Sequence, residues 1–108
     1  TKSYATIAYF YKKFGNLSEA TRLFNKASAV TLPETATPRN FVDHYVGISR
    51  DASVMQIADK ITKVRQWLAL GAEKAELIAA ANSRYSAYKS ILDEFFYIGD
   101  FEGGEIYS

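Results

Sequence analysis

Apolar positions near the start of the chain fall at Tyr4, Ile7, Ala8, Tyr11 and Phe14, the spacing of three and four that lines one face of a helix. Gly15 supplies the left-handed position that closes such a helix. Asn16 then reads as the N-cap of a second helix, with Glu19 three residues on as a variant of the capping box, and the next face runs Leu17, Ala20, Leu23, Phe24, Ala27. Residues 3–29 are therefore predicted to form a helical hairpin. Ala20 and Ala27 let the second helix approach the first closely, Tyr11 and Phe24 fill the space between, and Pro33 restricts the chain beyond.

A hairpin of this size cannot bury both of its faces, so a stacked copy is expected. Adding 34 carries Ile7 to Phe41, Ala8 to Val42, Tyr11 to Tyr45, Ala20 to Val54, Leu23 to Ile57, Phe24 to Ala58 and Ala27 to Ile61, apolar onto apolar each time. The turn is kept less well, because Gly15 falls on Ser49 and Leu17 on Asp51, which makes the second hairpin a degenerate unit turning at 49–51. An offset of 84 produces a third unit, in which Tyr88, Ile91, Leu92, Phe95, Gly99, Phe101 and Gly104 repeat the spacing of Tyr4, Ile7, Ala8, Tyr11, Gly15, Leu17 and Ala20. Residues 62–86 lengthen the second hairpin and add a helical piece, with a break expected near Gly71. Trp67, Leu68 and Leu70 are expected in the core there, an exposed protein-docking patch being the alternative. The chain divides into a repeat at 1–36, a degenerate repeat at 37–61, an inserted helical region at 62–86 and a partial repeat at 87–108, and reads as a piece of a longer array.

Composition narrows the chemistry. At 108 residues the chain fits one domain that removes roughly two-thirds of its unfolded surface from water. Two prolines and six glycines argue against a turn-rich β-sandwich. With no cysteine there is no disulfide scaffold, thiolate metal site or cysteine nucleophile, and His44 as the single histidine leaves no histidine pair for a metal. No apolar run approaches the roughly 18–20 residues of a membrane span. The net charge of +1 conceals an uneven distribution: residues 1–90 carry thirteen Lys/Arg against seven Asp/Glu, and residues 91–108 carry none against five. A basic surface with an acidic end is the expectation.

The run Tyr4-Ala5-Thr6-Ile7-Ala8-Tyr9-Phe10-Tyr11-Lys12-Lys13-Phe14-Gly15-Asn16-Leu17-Ser18-Glu19-Ala20-Thr21-Arg22-Leu23-Phe24 resembles a pentatricopeptide repeat, and Tyr88 to Tyr107, with Gly99-Asp100-Phe101 at the turn, resembles a second. The related tetratricopeptide repeat is the rival, since Ala8, Ala20, Ala27 and Pro33 suit it too; Val42 and Leu92, bulky where that pattern wants a small residue, favour the pentatricopeptide family. The resemblance implies an all-α fold, a right-handed superhelical solenoid of antiparallel helix hairpins. It further implies a non-enzymatic protein of the mitochondrion or plastid, without cofactor or membrane partner. Such a protein holds single-stranded or ribosomal RNA, or sits among protein partners in a ribonucleoprotein such as the organellar ribosome. The positions of the family's principal base reader hold Ala5, Lys89 and, by the 34-residue register, Arg39; the second reader falls at Glu34 or Thr35.

None of Ala5, Arg39 and Lys89 is the amide or hydroxyl that reads a base edge. Arg39 and Lys89, helped by Lys2, Lys12 and Lys13, suit phosphates instead, a contact that holds a strand without specifying its sequence; the plainer reading makes them solvated surface. Tyr9 or Phe10 is placed to stack on a base or to pack on a neighbouring hairpin. Asp43 with His44, and Asp93 with Glu94, are neighbours that a helix splays apart, so neither pair makes a catalytic site. Gly103 and Gly104 lack the context of a phosphate-binding loop and suit close helix packing. A protein-binding scaffold of tetratricopeptide type, without RNA contact, is the competing function.

Overall fold

The computed structural model describes residues 15–107 apart from Asn16, Val30, Val54 and Gln56. The first predicted helix lies outside the described residues, and with it Lys2, Ala5, Lys12 and Lys13, as do the side chains of Leu17, Ala20 and Ala27. Every regular element described is helical: α1 (Leu17–Ser28), α2 (Pro38–Ser53), α3 (Lys60–Ala75), α4 (Ala81–Tyr97) and the short α5 (Phe101–Glu105). None of these helices is long and apolar enough to cross a membrane.

Gly15 adopts φ +88°, and α1 follows it from Leu17. Leu23 and Phe24 of α1 are buried, and the Phe24 ring meets Trp67 of α3 edge-on, centroids 6.0 Å apart. The body of the molecule is the α2–α3 hairpin. Val42, Ile48 and Ala52 on α2 face Val64, Leu68, Ala72 and Ala75 on α3, the latter a stripe at spacings of four, four and three. Ala87, Ile91 and Phe95 of α4 complete this core, packing on both α2 and α3. Burial of a side chain such as Leu68, Ile91 or Phe95 stabilises the fold by about 1.5–3 kcal/mol.

Two expected breaks lie elsewhere. The turn expected at 49–51 is helical, because Ser49 and Ala52 are buried against the hairpin and no glycine offers a left-handed exit; α2 ends at Ser53, and the turn instead uses Asp59 at φ +54°. Consequently Ala58 and Ile61, matched by the 34-residue register to core positions, are exposed, and the stripe from Val64 to Ala75 replaces them. Gly71 does not break α3. A Cβ there would stand 3.5 Å from Tyr45 Cβ and 3.7 Å from Ile91 Cδ1, so the glycine sits where α2, α3 and α4 converge. The break falls at 76–80, where Ile78 turns into the core and Arg84 Nη1 donates to its carbonyl at 3.0 Å. Leu68 is buried and Trp67 half-buried as expected of core, whereas Leu70 is exposed on the opposite face of α3.

The end of α4 follows the sequence closely. Gly99 takes φ +77°, Asp100 N donates to Phe95 O at 2.9 Å and Gly99 N to Phe96 O at 3.1 Å, the paired bonds of a Schellman motif. Asp100 then caps α5, accepting from Gly103 N at 3.1 Å. Gly103 and Gly104 let α5 lie against Phe95, since Cβ atoms on them would stand 2.8 Å from Phe95 Cε1 and 3.2 Å from Phe95 Cβ.

Charges that the sequence segregates meet in the fold. Arg50 of α2 reaches Glu94 of α4, Arg65 of α3 reaches Asp100 with bonds of 2.7 Å to both carboxylate oxygens, and Lys89 pairs with Asp93 at 3.6 Å along α4. Among the described residues, the acidic end thus pairs with three cations of the basic stretch.

Candidate nucleic-acid interface

Along α4, Ala81, Tyr85, Tyr88 or Lys89, and Leu92 recur at three to four residues and form a second stripe, on a different side of the helix from the core stripe Ala87, Ile91, Phe95. Together with Arg84 and, across from the helix, Tyr107 they line an open groove of about 490 Å³. Tyr107 is set in place by stacking on Phe95, centroids 5.6 Å apart and planes 20° from parallel. Tyr88 is fixed too: its hydroxyl donates to Glu76, and burial, reinforced by that carboxylate, pushes its pKa up to about 12. Tyr85, by contrast, is 72% exposed at the groove wall.

Two cations frame this wall. Arg84 is half-buried, anchored through Nη1 on the Ile78 carbonyl, so its position is set by the α3–α4 connection. Lys89 is exposed, its ammonium 3.6 Å from Asp93 one turn on. An exposed pair of that geometry is weak and gives way readily to a stronger anion. Arg39 enters from α2, donating to Asp43 at 3.2 Å and to the Ser83 carbonyl at 3.3 Å, one residue before Arg84. Its contacts tie the start of α2 to the start of α4.

Of the residues expected to touch RNA, the fold therefore brings Arg39 and Lys89 to the same helix, with Lys89 in the groove and Arg39 engaged at its N-terminal end. Glu34 and Thr35 lie in the turn before α2, exposed and outside the groove lining. Tyr85 and Arg84 also line the groove, and they fall in the stretch 62–86, outside any repeat unit. The spacing Ala81, Tyr85, Tyr88, Leu92 is the sequence signal for Tyr85.

The remaining candidates separate as a helix requires. Asp93 faces Lys89 while Glu94, one residue on, is buried beneath Arg50. His44 packs edge-on against Tyr45, centroids 5.4 Å apart. Among the described residues no group of three or more histidines and carboxylates is arranged to hold a metal ion. A separate surface at the α4–α5 corner exposes Phe96, Tyr97, Phe101 and Ile106, with Phe96 and Phe101 in edge-on contact at 5.4 Å. No family model, curated protein or solved structure matches the chain.

Proposed function

We propose that this chain is a helical-repeat protein of pentatricopeptide type, a right-handed solenoid of hairpins in an organelle, and that it holds single-stranded RNA within a ribonucleoprotein such as the organellar ribosome. The observation that carries the RNA reading is the α4 groove, which combines an exposed aromatic face, Tyr85, with two cations, Arg84 and Lys89. That pairing of stacking surface and positive charge is what an unpaired strand requires. The repeat reading draws support from the two glycine turns. Gly15 and Gly99 are both left-handed, and the helices that follow begin at Leu17 and Phe101, both pairs 84 residues apart. The organelle comes with the family resemblance.

Fluorescence anisotropy of a labelled single-stranded oligouridine with the full chain tests the RNA reading. Contacts by Arg84 and Lys89 give a log–log salt slope of about −1.4, and Lys89→Gln reduces its magnitude by about 0.7. Absence of binding, or binding indifferent to salt, removes the RNA function. The exposed corner of Phe96, Tyr97, Phe101 and Ile106 favours a second reading, a protein-binding scaffold. That function predicts association with a protein partner that survives nuclease treatment.

A further inference from the structure

We infer that the α4 groove stacks one base of a single strand on Tyr85 while reading neither the identity of the base nor its sugar. The inference rests on the reading above that the groove takes nucleic acid, and it concerns what the groove can distinguish once a strand is there.

Discrimination among bases requires fixed donors and acceptors aimed at a base edge, which arginine forks, side-chain amides and carboxylates supply. Among the described residues, the groove lining contains no Asn, Gln, Asp, Glu, Ser or Thr. The Tyr88 hydroxyl is committed to Glu76. Arg84 has one amino group on the Ile78 carbonyl, so its fork is not turned as a whole towards a ligand. Lys89 is a point charge on a flexible stem and donates to any acceptor, phosphate first. The phenols of Tyr85 and Tyr107 rotate their O–H to donate or accept, and so match any base edge.

What remains is shape and stacking. Every base has a π-face, so a ring such as Tyr85, 72% exposed beside the apolar Ala81 and Leu92, accepts all of them. A duplex keeps its bases stacked on each other and offers none to a ring on one helix. Recognition of the ribose needs a group placed to exchange hydrogen bonds with the 2′-hydroxyl. The lining fixes none, so DNA and RNA strands are equivalent to it. The groove of about 490 Å³ lies in the lower part of the range of small-ligand sites, about 300–1,000 Å³, which suits one nucleotide rather than a helix.

The test uses the full chain with oligo-U, oligo-A and oligo-C as RNA, the corresponding DNA strands, and a blunt RNA duplex, at one salt concentration. All single strands are expected within about threefold of each other, with the duplex at least about tenfold weaker. Tyr85→Ala weakens every single strand by about tenfold or more, whereas Tyr85→Phe, which keeps the ring and removes the hydroxyl, leaves affinity within about twofold. A preference above about tenfold for one base, or for RNA over DNA, overturns the inference while leaving the groove a nucleic-acid site. Equal losses in Tyr85→Phe and Tyr85→Ala overturn it as well, since the hydroxyl would then be the reader. Failure of every strand to bind overturns the nucleic-acid reading itself and this inference with it.

Discussion

Arg50 holds Glu94 by one oxygen only: its Nε and Nη2 reach Glu94 Oε1 at 2.8 and 2.5 Å, while Oε2 is buried without a hydrogen-bond partner. The glutamate side chain is 1% exposed and the arginine side chain 65%, so a water-facing cation is paired with a carboxylate enclosed between α2 and α4. Burial pushes the Glu94 pKa up, and Arg50 offsets that only in part; Asp51 beside them is raised by burial for the same reason. Asp100 shows the contrary balance. Bonds from Arg65 hold it below the ordinary carboxylate range despite its burial.

The sign of the pH dependence follows. A carboxyl whose folded pKa is raised binds more protons in the native state, so Glu94 and Asp51 lower stability as pH rises above their ordinary values of 4.5 and 3.8 through their folded values. Asp100 contributes stability above its ordinary value of 3.8 and loses it as pH falls through its depressed folded value. Urea unfolding across pH is expected to place maximum stability on the acid side of neutrality, and Glu94→Gln is expected to flatten the decline towards neutral pH. A neutral-pH maximum unchanged by that substitution would contradict this assignment.

The same pair yields a coupling. Arg50→Ala leaves a buried charge with no partner and is expected to cost about 1–3 kcal/mol at neutral pH. In a Glu94→Gln background the loss shrinks, because the group left behind is uncharged. A double-mutant cycle with equal losses in both backgrounds would show that Arg50 acts elsewhere.

At the other end of α4, Asp100 combines the cap of α5 with the ion pair to Arg65. Asp100→Ala removes both and is expected to destabilise by about 1–2 kcal/mol, whereas Asp100→Asn keeps an acceptor for the Gly103 N–H and loses less. Equal losses for the two variants, read by thermal unfolding, would assign the effect to charge alone.

Two glycines are expected to respond in opposite directions. Gly71 lies inside α3 with room for a methyl group in ordinary contact with Tyr45 and Ile91, so Gly71→Ala stabilises by about 0.5–1 kcal/mol through helix propensity. Gly103→Ala brings its Cβ to 2.8 Å from Phe95 Cε1 and 2.9 Å from Asp100 Cγ, and destabilises by about 1–3 kcal/mol. Chemical denaturation of both variants checks the pair.

These contrasts mark what the linear pattern conveys. Spacing of apolar residues placed Leu23, Phe24, Ile91 and Phe95 in the core, and Gly99-Asp100-Phe101 at a turn, because helix stripes and left-handed glycines are local signals. The breaks after Ser53 and at 76–80 depend on tertiary contacts instead: Met55 and Ile78 fold into the core, and Asp59 turns without a glycine. Gly71, read as a breaker, stays within α3 at the point where α2, α3 and α4 converge, a position that only the assembled helices reveal. Lys89, singled out by the sequence as a phosphate contact, lines the α4 groove, while Arg84 is placed there by the α3–α4 connection.

The central claim, an RNA strand against α4, is tested most directly by ultraviolet crosslinking of the full chain to a single-stranded RNA, with mass-spectrometric mapping of the crosslinked peptides. The account predicts adducts concentrated in the segment from Ala81 to Leu92, strongest at Tyr85 and lost in Tyr85→Ala. A strand that crosslinks well elsewhere and leaves this segment clean would contradict it.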